Sequence, residues 1–179
     1  LVAARVRDRL GAEAALKYFL PGAMALAMLT FGASLVYAGS GSLDLAESLA
    51  GGGLVATAGL ALALLGIGFK LSLAPVHLWT PDTYQGAPAP VAAFLSTGSK
   101  AATAAALLHL CAVASPESRE LLWPALILAS GLTMAVGNIG ALSQKSVKRL
   151  LAYSSIAQMG YVAMAALAVS CLHDKACPE

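Results

Sequence analysis

A chain of 179 residues that is 59% hydrophobic and 11% charged, with a mean hydropathy of +0.77, has too little charge to solvate a globular surface, which ordinarily takes about a quarter of the residues. A soluble domain is excluded. A formal charge of +2, with no basic stripe interleaved with aromatics, excludes nucleic acid as a partner.

The chain opens on the charged group Arg5, Arg7, Asp8 and Arg9, without an initiator Met or the short apolar run and small-residue cleavage site of a signal peptide. It reads as an internal piece of a longer protein. A spanning helix takes about 20 mostly apolar residues, and five such stretches follow, at 12–38, 54–80, 89–114, 121–142 and 150–170. They are rich in Ala and Leu and lack the sustained alternation of a membrane strand. The expected fold class is all-α, a polytopic transmembrane helix bundle forming one unit over 1–179, with the second of its five spans broken at Pro75. Loops rich in Lys and Arg stay inside. With the N-terminus inside, the inner loops hold Arg5, Arg7, Arg9, Lys145, Lys148 and Arg149, and the outer ones only Arg119 and Lys175.

In the first span Lys17 follows Glu13 by four residues, a spacing that forms an ion pair on one helix face. The pair reads as an interfacial anchor, with a secondary place in proton uptake as the other reading. The connection at 39–53 is Gly-rich, and its Asp44 and Glu47 read as solvated. The second and third spans hold Lys70 and Lys100 near their middles. A lysine at the bilayer centre costs roughly 2.5–3.5 kcal/mol on insertion scales, so it is normally absent or functional. Loss of the proton is one way to meet that cost, and a lysine so placed can exchange protons at physiological pH. A permanent pair with an acid on a neighbouring helix is the other. Glu13 and Asp82 fall at the ends of stretches, so a counter-ion is expected from sequence outside the chain.

On a continuous helix His77, seven residues after Lys70, would share its face about 10 Å further along. Pro75, between them, would remove one backbone hydrogen bond and crowd the carbonyl of Leu71, and a broken span beside a buried lysine suits an ion path. His109 lies nine residues after Lys100, on the opposite face, and reads as interfacial or packing. Ser96, Thr97 and Ser99 are placed to bind water near Lys100. In the fifth span Tyr153, Ser154, Ser155 and Gln158 read first as polar contacts between helices. Cys111, Cys171 and Cys177 have neither CxxC nor Cys/His spacing, so no metal site is expected. The last two are close enough in a polar tail to pair in an oxidising compartment, or to remain thiols.

The run GFKLSLAPVHLWTPDTYQGAPAPVAAFLSTGSK, from Gly68 to Lys100, resembles the N subunits of bacterial NADH:quinone oxidoreductase, respiratory complex I. The resemblance continues through GNIGALSQKSVKRLLAYSSIAQMGY, Gly137 to Tyr161, and more weakly through AEAALKYF, Ala12 to Phe19. The order Lys, Pro, His-Leu-Trp, Pro-Asp is shared with the wider family of antiporter-like membrane subunits, including multisubunit cation/proton antiporters. The tail after Leu172 departs from the family pattern.

That resemblance implies a subunit of about fourteen helices, of which this chain covers the sixth to the tenth. Lys70 matches the family's lysine on its broken seventh helix, Lys100 the lysine on the eighth, and His77 the histidine between them. The partner glutamate would precede Leu1, a further lysine would follow Glu179, and Glu13 matches a milder acidic position. The implied function is proton translocation coupled to NADH-to-quinone electron transfer, with Lys70 holding a proton and Lys100 receiving it. No cofactor would be bound by this chain: NADH, flavin, iron–sulfur clusters and quinone would belong to other subunits. The partners would be the other membrane subunits of the complex and the bilayer, in the bacterial inner membrane with the chain's N-terminus cytoplasmic. The alternatives are a sodium-for-proton antiporter subunit and a structural scaffold whose lysines form static pairs.

Overall fold

The computed structural model describes Val2, residues 9–50 and residues 53–174. Arg5, Arg7, Asp8, Lys175 and Cys177 lie outside the described residues, and with them their share of the loop-charge argument. Among the described residues the elements are α1 (Arg9–Ser40), α2 (Leu45–Ala50), α3 (Leu54–Leu71), α4 (Trp79–Gly86), α5 (Ala89–Ser96), α6 (Gly98–Val113), α7 (Pro116–Leu142) and α8 (Val147–Asp174). No strand occurs among them. Five segments are long and apolar enough to cross a membrane: Gly11–Ser40, Leu54–Leu71, Ala89–Val113, Ser118–Leu142 and Val147–Ser170.

Local chemistry sets the helix ends. Ser115 precedes Pro116 at the head of α7 and its Oγ accepts from the Ser118 amide at 3.3 Å, satisfying one of the amides that a helix start leaves free. Inside the spans, hydroxyls return their protons to the preceding turn, as Thr30 does to Leu26 O at 3.0 Å and Ser34 to Thr30 O at 2.9 Å. A polar side chain is thereby satisfied without a partner from lipid.

α1 packs along α3, α7 along α8, and α6 lies against both α3 and α8. The α1–α3 seam is made of glycines: a Cβ on Gly59 would stand 2.6 Å from Gly32 O, so the two backbones touch there. Small residues that admit such contact are the usual means of helix association where lipid supplies no hydrophobic drive. Ile67, Leu71 and Leu73 meet Leu107 and Cys111 of α6 and Ala163 and Ala166 of α8 in the central core. A second cluster joins Ala25, Phe69, Trp79, Tyr84 and Ala152.

The second span differs from the expectation. It is interrupted, but α3 ends at Leu71, before Pro75 is reached. Ser72 takes the left-handed conformation (φ 62°, ψ 38°), and its amide and that of Leu73 return to Phe69 O at 3.0 Å and Gly68 O at 2.8 Å. This is a helix end closed by its own backbone, and Pro75 follows in non-helical chain after a cis Ala74–Pro75 bond. The third span is interrupted too, at Thr97 (φ −112°, ψ −72°) between α5 and α6. Gly98 follows at the start of α6, but the sequence reading had one continuous stretch there.

Candidate functional site

An interruption inside a membrane span leaves backbone groups that must find partners within the protein. Around residues 72–78 they come from several directions. The Trp79 indole donates to Phe69 O at 3.1 Å, the Thr80 hydroxyl donates to Ser72 Oγ at 2.7 Å, and Thr133 Oγ1 of α7 accepts from the Ala74 amide at 2.8 Å. Trp79 is stacked on Phe69 with ring centroids 5.0 Å apart and tilted against Tyr18 at 5.2 Å. The break is therefore held in one shape by aromatic packing and by α7.

Lys100 stands in the first turn of α6 and is 1% exposed. Its Nζ donates to Ser155 Oγ of α8 at 2.8 Å and lies 5.9 Å from the ring centre of Tyr84, on α4. Among the described residues no carboxylate pairs with it. A cation over an aromatic face is attracted by the ring quadrupole, so Lys100 is solvated by one hydroxyl and one ring. The Tyr84 hydroxyl is also buried.

Lys70, in the last turn of α3, is exposed. It faces a groove of about 640 Å³ along α1, α2, α3 and α6, whose polar lining includes Ser48, Thr103 and His109. His109 thus shares the Lys70 groove, a relation that the sequence reading missed because it measured His109 only against Lys100. His77 is buried. The chain leaves the helix between Lys70 and His77, so the shared helical face expected for that pair does not exist.

Lys17 Nζ lies 2.6 Å from Glu13 Oε1 and 2.8 Å from Asp82 Oδ2. Asp82, on α4, also meets Arg149 of α8 through Oδ1 at 3.0 Å. Arg149 donates further to Gln85 Oε1 and to Gln144 Oε1, each at 3.1 Å. Lys148 donates to Ala87 O at 3.2 Å and to Gln85 O at 3.5 Å. A second cavity, of about 500 Å³, runs from Lys148 between α5 and α8, past Ser96, Ser154 and Gln158, to Ser155 and Tyr84. Among the described residues no three His, Cys, Asp or Glu side chains gather as metal ligands would.

Residues 1–173 match the family model described as NADH:quinone oxidoreductase/Mrp antiporter, transmembrane. The chain is 74% identical to NADH-quinone oxidoreductase subunit N 1 of Solidesulfovibrio magneticus over 170 residues, which are 95% of this chain and 37% of that relative. Among solved structures it is similar to a chain of respiratory complex I from Thermus thermophilus with bound aureothin. That likeness has a TM-score of 0.77 and 51% identity, covering 89% of this chain and 35% of the other. A chain of the Mrp complex from a Dietzia species shares the fold, with a TM-score of 0.82 at 23% identity over 89% of this chain and 30% of that one. The chain thus spans about a third of the length of the relatives it matches.

Proposed function

This chain belongs to the family of transmembrane subunits shared by NADH:quinone oxidoreductases and Mrp antiporters, and we propose that it is the central part of a proton-translocating membrane subunit of NADH:quinone oxidoreductase. The observation that carries the reading is Lys100, a lysine sealed at the middle of a helix bundle with Ser155 as its hydrogen-bond partner. A lysine held for structure alone would be expected to sit against an acid, because breaking a buried pair costs far more than keeping one. A lysine held by a hydroxyl can take up or release a proton without stranding a carboxylate.

In this mechanism Lys70 holds a proton opposite an acid supplied by a part of the subunit outside the chain. Lys100 receives that proton across the bundle, with His77 and the broken segment around Pro75 lying between α3 and α4. Two ammonium groups ~7 Å apart at an effective dielectric of ~20 repel by about 2.4 kcal/mol. Moving one charge through 100 mV costs about 2.3 kcal/mol. Withdrawal of the acid from Lys70 would therefore suffice to move a proton on against a membrane potential of that size. Lys17 and Glu13 lie at the end where protons enter in this reading. Arg9, Lys145, Lys148 and Arg149 are placed on the cytoplasmic side in this reading, with the bacterial inner membrane as the host that the family resemblance implies. Electron transfer, with its NADH, flavin, iron–sulfur clusters and quinone, is assigned to other subunits of the complex.

The test is proton uptake per NADH oxidised in inverted membrane vesicles carrying the full-length protein, with assembly verified, comparing wild type with Lys70→Met and Lys100→Met. A fall in the ratio, or in coupled activity, supports the reading. Wild-type values in both variants leave the lysines a static role.

A further inference from the structure

We propose that Asp82 is a positioning residue for Lys100: by binding one cation from α1 and one from α8 it latches α4 in place, and so keeps Tyr84 over the Lys100 ammonium. The proposal rests on the reading of Lys100 as a proton carrier.

α4 is a short element beside Lys100, eight residues between the non-helical segments 72–78 and 87–88. Neither flank is helical, so its position depends on what grips it. At its head the grip is apolar and local, through Trp79 on Phe69 and Tyr18. In the same first turn it is also ionic, through Asp82. Asp82 uses one oxygen for Lys17 and the other for Arg149. Each cation is held by its own helix or the adjoining loop as well, Lys17 by Glu13 of α1 and Arg149 by Gln144 just before α8. The charges run Glu13, Lys17, Asp82, Arg149, alternating in sign across three helices. Asp82 is the one member of that row that lies on α4. Replacing it leaves Lys17 and Arg149 with their own-side partners and removes both ionic bonds that reach across to α4.

Tyr84 follows Asp82 by two residues and contributes the ring that faces Lys100 Nζ. Tyr84 and Ser155, which meet Lys100, also line the cavity that Lys148 lines. That cavity is lined by Ser96, Ser154 and Gln158, groups that would not face hydrocarbon and that water can satisfy. Tyr84 therefore stands between the space that Lys148 opens and the ammonium of Lys100. When α4 is latched the ring stays in place, and when it is released the ammonium meets the cavity. The Arg149 bond to Gln85 Oε1 and the weaker Lys148 contacts with the Gln85 and Ala87 carbonyls remain, so loss of Asp82 loosens α4 without freeing it.

Two measurements on the full-length protein in the assembled complex test this. In the first, Lys100→Cys as the only cysteine is labelled by a membrane-impermeant maleimide added to inverted vesicles, with Asp82, Asp82→Asn or Asp82→Glu. Loss of two partly exposed ion pairs should speed labelling roughly fivefold in Asp82→Asn, while Asp82→Glu keeps the slow rate. Equal rates in all three overturn the latch. In the second, with Lys100 intact, protons moved per NADH oxidised should fall in Asp82→Asn and recover in Asp82→Glu. An unchanged ratio overturns the positioning role. Lys100→Met, measured alongside, separates the two ideas: a wild-type ratio there removes the carrier reading, while the labelling rates still decide whether Asp82 holds Tyr84 in place.

Discussion

Lys100 has exchanged bulk water for Ser155 Oγ and the face of Tyr84. Removing the hydroxyl leaves a buried donor without its acceptor, a loss of about 1–3 kcal/mol or somewhat more for a charged group. Ser155→Ala is therefore expected to lower protons moved per NADH in assembled complex, and Lys100→Met with Ser155→Ala to lose no more than Lys100→Met alone. Comparing the double variant with each single one in vesicles checks this, since residues that act as one unit are not additive. The depth of Lys100 was legible as a charge inside an apolar run. Its partner was not, because Ser155 is 55 positions away and its hydroxyl looks in sequence like any polar contact between helices. Asp82 was legible only as an acid at the end of a stretch. Its meaning depends on α1 and α8 ending beside it, which is a fact of packing.

At the scale of elements, the five spans were plain from hydropathy, since twenty apolar residues in sequence have one stable form in a bilayer. Where the spans break was less plain. Pro75 marks the neighbourhood, but the helix is closed by Ser72 in a left-handed conformation that non-glycine residues seldom take, and tertiary hydrogen bonds hold it there. The interruption at Thr97 is marked only by Gly98 after it, and Ser96 and Thr97 both turn their hydroxyls onto Ala93 O, at 2.8 and 2.9 Å. The role given to Thr133 is open to measurement. Thr133→Val would leave the Ala74 amide without an acceptor and cost about 1–3 kcal/mol, seen as a lower unfolding temperature of the full-length protein in detergent. Thr133→Ser, which keeps the acceptor, should recover most of the difference.

For the whole molecule, a chain that spans about a third of its relatives carries part of a function. Its fold is shared with a chain of an Mrp complex, so fold alone does not choose between proton pumping driven by electrons and cation exchange. The transported ion does choose. Replacing sodium by choline on both sides of the vesicle membrane is expected to leave protons moved per NADH unchanged. A ratio that falls with sodium would favour the exchanger. Composition made the membrane bundle legible at this scale. The grooves were not, because they form between helices distant in sequence: the one at Lys70 draws on α1, α2, α3 and α6 together.

α7 carries no charged residue from Leu121 to Leu142 and looks like the inert wall of the bundle. Yet Thr133 accepts the Ala74 amide within the interrupted span, which ties that wall to one peptide plane four residues after Lys70. A sideways shift of α7 against α3 must stretch that bond or carry the peptide with it. An uncharged stretch of helix is in this way a mechanical input to the charged ones, and a neighbour pressing on its outer face would be felt at the break without touching either lysine.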